Sequence, residues 1–201
     1  MFSDKATENS DLWNRIRAGE RNALACLYNI HVGSLYNYGN KIARSSIIVE
    51  DAIQDLFIDL WNYRKNLGIA NSVRSYLYAS LRRKIIKSMQ ESNEFCSDYQ
   101  WDDMHLMVDS EEDKIIAREY TDEKVARLRS SLNNLSPRQY EAIVLRFYNK
   151  LSYLEIAEVL DVNEQSVRNL IQRGIESLRQ HSQLIVSLSL FVLPYFFQNI
   201  F

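Results

Sequence analysis

The chain is poor in the residues that punctuate turns, with 5 glycines and 2 prolines in 201 positions. So few turn formers argue against the many closely spaced connections of an all-β fold. Cysteine is scarce as well. Cys26 and Cys96 have neither CxxC spacing nor a neighbouring histidine, which fits reduced thiols in a cytosolic protein and argues against a zinc site. Histidine is limited to His31, His105 and His181, none in a recognisable triad or metal motif, so no enzyme activity, metal or cofactor is expected. The first residues lack a basic segment followed by an apolar run, and no secretory leader is expected. A general excess of positive charge is missing too: 24 Lys+Arg stand against 26 Asp+Glu, a formal charge of −2.

That average conceals an asymmetry. Residues 1–90 hold 13 Lys+Arg and 8 Asp+Glu, residues 91–118 hold 2 and 9, and residues 119–201 hold 9 of each. The acid therefore lies mainly between two halves, and the first half is basic.

What is abundant is apolar residues, 46% of the chain, repeating at steps of three and four. That period predicts an all-α fold. In the first half Ser10 can cap a short helix that stops near Gly19, and a second helical region runs from about Asn22 to Ala43. A third helix is expected from near Glu50, where Ala52, Ile53, Leu56, Phe57, Leu60 and Trp61 form one wide apolar stripe. Arg64 to Ser72 reads as a loop, and a fourth helix follows with Val73, Tyr76, Leu77, Leu81 and Ile85 on its buried side. Periodicity is then lost from Glu91 to about Asp113, an acidic linker with isolated aromatics, and resumes near Lys114 towards Leu132.

The second half has clear helix starts. Ser136-Pro137-Arg138-Gln139 orders a cap, an N1 proline and a capping-box partner, for a helix ending near Asn149, a residue that tolerates the left-handed C′ conformation. Ser152-Tyr153-Leu154-Glu155 is a second capping box, opening a helix that closes near Leu160, and Asn163 caps a third helix to about Gln180. Within LSYLEIAEVLDVNEQSV, Ala157, Asp161 and Val167 have helix-turn-helix spacing: a small residue for close approach, a left-handed turn and an apolar anchor. Aspartate replaces the glycine expected in that turn. Ile156, Leu160, Val162, Leu170 and Ile171 would form the apolar seam. Gln165, Ser166, Arg168, Asn169, Gln172 and Arg173 would face outward, with side chains suited to base edges and phosphates. Spacing alone leaves open a helical hairpin with an ordinary solvated face.

Two distant segments carry a resemblance to one family. EDAIQDLFIDLW, Glu50 to Trp61, with VRSYLYASLRRKIIKSM, Val73 to Met89, resembles region 2 of bacterial sigma factors. LNNLSPRQYEAIVLRFYNKLSYLEIAEVLDVNEQSVRNLIQRGIESLRQ, Leu132 to Gln180, resembles region 4. The short chain and acidic linker are similar to the extracytoplasmic-function (ECF) group. The resemblance implies two small helical domains, 1–90 and 114–181, joined by a linker at 91–113. It implies a cytoplasmic protein that binds core RNA polymerase, through the β′ clamp helices and β flap, and directs promoter recognition and initiation. An anti-sigma factor is an expected partner. A helix-turn-helix regulator acting on duplex DNA without polymerase is the alternative.

Residue by residue, the resemblance carries Gln54, Asp55, Phe57, Leu60 and Trp61 to the core-polymerase contact. Asp51, Asp55 and Asp59, at four-residue steps, read otherwise as a solvated acidic face. Arg74, Tyr76, Tyr78, Arg82, Arg83, Lys84 and Lys87 are carried to the −10 element, where aromatic platforms offset unstacking and cations hold phosphates. One tyrosine is expected to pack in the bundle, Tyr76 rather than Tyr78. Gln165, Ser166, Arg168, Asn169, Gln172 and Arg173 are carried to the −35 element. Leu170, Ile175 and Ser177 stand where the family often has arginine, so fewer phosphate contacts are expected. The linker reads either as an RNA mimic in the polymerase cleft or as a solvated tether. Ser182 to Phe201 has no charged residue in 20 positions, near bilayer-spanning length, but Pro194 and several polar residues interrupt it. Membrane contact, packing on the chain and capture by a regulator are all readings of that tail.

Overall fold

The computed structural model describes residues 2–43, 45–70, 72–91, 132 and 134–181, with side chains from residue 9 to residue 179 of those spans. The expected linker, the helix from Lys114 towards Leu132 and the apolar tail lie outside the described residues, apart from Glu91 and Leu132. Every regular element among the described residues is helical. The chain divides into two compact units, the first built on Met1–Cys96 and the second on most of the remainder.

The N-terminal unit holds α1 (Phe2–Arg17), α2 (Arg21–Ile42), α3 (Ser46–Asn62), a 3-10 turn (Arg64–Asn66) and α4 (Val73–Glu91). α1 begins before the expected cap, so Ser10 lies inside the helix rather than at its start. Its end is where the sequence put it. Gly19, at φ +95°, closes the helix while the Glu20 N–H donates to the Arg15 carbonyl at 3.0 Å, satisfying a carbonyl that the last turn leaves open. α3 starts a turn earlier than Glu50. Ser45 is its cap, its hydroxyl accepting from the Ile48 N–H at 3.5 Å.

α3 packs against both α2 and α4, and α1 against α2. The core between them is apolar, with Leu27, Leu35, Leu77, Leu81 and Ile85 fully buried. Burial of each such side chain contributes about 2 kcal/mol. Close approach of α2 to α3 depends on Gly39, where an added Cβ would lie 2.5 Å from Val49 Cγ1. On α4 the buried face differs from the expected one: Tyr78 is 1% exposed and Tyr76 is half-buried. Tyr78, Leu81 and Ile85 share one stripe at steps of three and four, and Tyr38 of α2 offers Tyr78 a ring at 5.0 Å.

The second unit holds α5 (Pro137–Ile143), a π-helical turn (Val144–Tyr148), most of α6 (Tyr153–Leu160), and α7 (Glu164–His181). All three expected caps form. Ser136 and Gln139 exchange bonds at 3.0 and 3.3 Å, as do Ser152 and Glu155 at 2.8 and 3.2 Å. Asn163 Oδ1 accepts from the Ser166 N–H at 2.7 Å. The turn after α5 differs from expectation. Asn149 stays right-handed at φ −82°, and Lys150, at φ 57°, takes the left-handed conformation. The wide turn, closed by the Asn149 N–H on the Val144 carbonyl at 3.0 Å, carries the chain one residue further before it reverses.

Candidate nucleic-acid interface

The helix-turn-helix of α6 and α7 turns where the spacing predicted. Asp161 sits at φ 54°, and the Val162 N–H donates to the Ala157 carbonyl at 3.1 Å. Ile156, Leu160, Val167 and Ile171 are buried, while Val162 and Leu170 are half-exposed, so the seam is narrower than expected. On the outer face of α7, Gln165, Arg168, Asn169, Gln172 and Arg173 are exposed and Ser166 is half-exposed. These side chains hold one another in place. Gln165 Nε2 donates to Asn169 Oδ1 at 3.1 Å, and Gln172 Nε2 to Glu176 Oε1 at 2.9 Å.

Arg168 is the most constrained of the set. It pairs with Glu164 one turn back, and its guanidinium lies 4.5 Å from the centre of the Tyr153 ring. Arg146 lies 4.6 Å from the same ring and donates to the Leu151 carbonyl at 2.8 Å. Tyr153 thus orients two cations from two different elements. Tyr153 and Arg146 were not legible as neighbours of Arg168, because Tyr153 reads as the N1 residue of a capping box and Arg146 as part of a helix. Their meeting depends on the π-helical turn.

On α4, Arg83 and Lys87 are exposed and one turn apart, and Arg74 and Arg82 are half-buried. Lys84 is engaged within the bundle, its ammonium 2.6 Å from Asp59 of α3. Tyr78 is enclosed by the core, so only Tyr76 retains exposed ring surface. Tyr76 meets the Trp13 ring edge-on at 4.9 Å. Behind Arg74, His31 is buried, with Nε2 3.1 Å from Asn9 Oδ1. Burial first, and then the Arg74 charge, push its pKa down to about 4, so the imidazole is neutral at pH 7.

The residues expected on the polymerase side divide in two. Gln54 and Asp55 are exposed and Trp61 is half-buried. Leu60, by contrast, is 1% exposed in the bundle core, which corrects its expected place on the contact surface, and Phe57 is largely buried as well, at 7%, with only a remnant lining the groove described next. The apolar stripe of α3 is wider than one face, and Leu60 lies on its inner half. An open groove of about 800 Å³ runs between α2 and α3, lined by Tyr28, Val32, Tyr36, Gln54, Phe57 and Trp61 among others. Tyr28 and Phe57 meet edge-on at 5.0 Å. Arg64 caps one end, 4.3 Å from the centre of the Trp61 ring, with Arg21 at 5.8 Å. The α2 wall was missed, although Leu24, Tyr28, Val32 and Tyr36 recur at four-residue steps and could have marked it.

Residues 27–93 match the family model described as Sigma-70 region 2, and residues 126–178 match that described as Sigma-70, region 4. The ECF RNA polymerase sigma factor SigK of Mycolicibacterium vanbaalenii is 22% identical over 173 residues, spanning 84% of this chain and 86% of its own. RNA polymerase sigma factor SigZ of Bacillus subtilis is 26% identical over 146 residues, 73% of this chain and 79% of its own. Among solved structures, CnrH in complex with the cytosolic domain of CnrY has a TM-score of 0.60 at 20% identity, covering 86% of this chain and 96% of that one. The sigma factor RpoE of Bartonella quintana, in complex with the anti-sigma factor NepR, has a TM-score of 0.56 at 16% identity, covering 80% and 96%. At these identities the structural likeness is one of fold.

Proposed function

Because the chain belongs to the sigma-70 family of RNA polymerase sigma factors, in its extracytoplasmic-function group, we propose how its two units divide the work of initiation. The α2–α3 groove takes an apolar helical surface of core polymerase, the β′ clamp helices, with Phe57 and Trp61 as anchors and Gln54 and Asp55 at the rim. Aromatic anchors in a groove are the usual carriers of such binding. The face of α4 with Tyr76, Arg83 and Lys87, together with Arg74 at the start of the helix and the preceding loop, engages the −10 element. The outer face of α7 reads the −35 element, with the second unit held on the β flap. The protein works in the cytoplasm, performs no chemistry itself, and is restrained by an anti-sigma factor.

The observation that carries this reading is the groove: a regulator working on duplex DNA alone would have no use for an exposed aromatic trough on its other unit. It also resolves the missing positive charge. Polymerase supplies much of the electrostatic hold on DNA, so a chain of net −2 can still open a promoter. Co-elution of the purified chain with core polymerase in gel filtration tests it. Gln54→Ala with Trp61→Ala should sharply weaken co-elution while circular dichroism stays helical, because neither side chain belongs to the core. A wild-type chain that never co-elutes would contradict the proposal.

A further inference from the structure

Glycine in the middle of a helix gives up more backbone freedom on folding than alanine, so its presence there calls for a reason. α2 carries two such glycines, Gly33 and Gly39. For Gly39 the reason lies inside the fold, since a Cβ would fall 2.5 Å from Val49 Cγ1. Gly174 of α7 is alike, its Cβ falling 2.7 Å from Ile143 Cδ1. Gly33 is different. Among the described residues, no side chain or neighbouring element lies within 4 Å of the place its Cβ would take. Its φ is that of ordinary helix rather than left-handed, so alanine would fit the backbone. Neither packing nor backbone geometry within the N-terminal unit asks for glycine here.

Gly33 is exposed in the wall of the α2–α3 groove. Tyr28, Val32 and Tyr36 line the same wall on either side of it, so the glycine leaves a gap in a row of larger side chains. The Tyr28 ring is held edge-on against Phe57 at 5.0 Å and does not close over that gap. Packed helices keep their axes about 8–10 Å apart, a distance set by the side chains at the crossing, and glycine lets a second backbone come closer. We propose that Gly33 is the point at which a helix of core polymerase crosses α2, its backbone against the glycine and its side chains on the flanking tyrosines. This rests on the reading of the groove as the polymerase contact. It makes α2 a second wall of that contact, and seats the partner nearer than any side chain at position 33 would permit.

The test reads stability and binding on the same full-length variants, because a crossing point moves the two in opposite directions. Gly33→Ala should raise the urea midpoint of the free chain, alanine being the better helix former. It should also weaken binding of the labelled chain to core polymerase about tenfold, by fluorescence anisotropy. Gly33→Leu, close to alanine in helix propensity but larger, should weaken binding more than about a hundredfold. Asn37→Ala, one turn on at an exposed position off the groove, should raise the midpoint too and leave binding unchanged. Unchanged binding by both Gly33 variants would overturn the crossing. So would an equal loss for the two, because that would trace the effect to helix stiffness rather than to size. A wild-type chain that does not bind core polymerase would overturn the groove reading, and the crossing with it.

Discussion

The side chains that matter here are held both by neighbours one turn away and by partners on other elements, and that decides what each can do. Arg168 is restrained by Glu164 and by the Tyr153 ring, which also carries Arg146. An oriented guanidinium loses less freedom on meeting a base than a free one. Arg168→Ala should therefore weaken discrimination of matched from scrambled −35 sequences by about 1–3 kcal/mol if the contact is bidentate. Tyr153→Leu should cost about 0.5–1 kcal/mol of the same discrimination and Tyr153→Phe should not, as fluorescence anisotropy would resolve. His31 offers a second test. Its folded pKa, about 4, lies below the unfolded value, so the fold excludes a proton. The stabilisation is fully present above about pH 6.5 and is lost as pH falls towards 4, by about 3 kcal/mol. Urea unfolding of His31→Gln should lack that part of the pH dependence. At this scale the sequence was least informative. Tyr76 and Tyr78 are two residues apart on one helix, and packing decides between them: Tyr78 meets Tyr38 in the core and Tyr76 meets Trp13 nearer the surface.

The helices themselves were more legible, because caps are local. The Ser136, Ser152 and Asn163 caps each require a few residues of sequence and no partner from elsewhere, and all three form. Ends set by longer-range or unusual geometry were not legible. The π-helical turn moves the left-handed residue from Asn149 to Lys150, and α1 extends past Ser10. Packing between helices is sharper than any pattern within one. Gly39→Ala would place a methyl 2.5 Å from Val49 Cγ1 and 3.2 Å from Cγ2, and should cost about 1–3 kcal/mol in chemical denaturation. Combining it with Val49→Ala should cost less than the two single changes added together, because the second change makes room for the first. Strict additivity would mean that α2 and α3 do not meet there.

For the whole molecule, the all-α class and the order of its two blocks were readable from period and motif. The groove was not, because it exists only between α2 and α3. The sequence displayed the α3 stripe as one surface, whereas packing divides it: Leu60 goes to the core and Trp61 stays at the groove. A similar division runs through α4, where Lys84 is committed to Asp59 and Lys87 remains outward. Charge was informative only when resolved along the chain. The first 90 residues hold 13 Lys+Arg and 8 Asp+Glu, a balance that the proposed contact with promoter phosphates would use.

The most direct measurement is transcription in vitro by core polymerase over a genomic promoter library, with and without the full chain. The expected result is a set of new start sites that depend on the chain, share −35 and −10 sequences, and weaken with Gln54→Ala and Trp61→Ala combined. Start sites identical with and without the chain, at every concentration and salt, would contradict it.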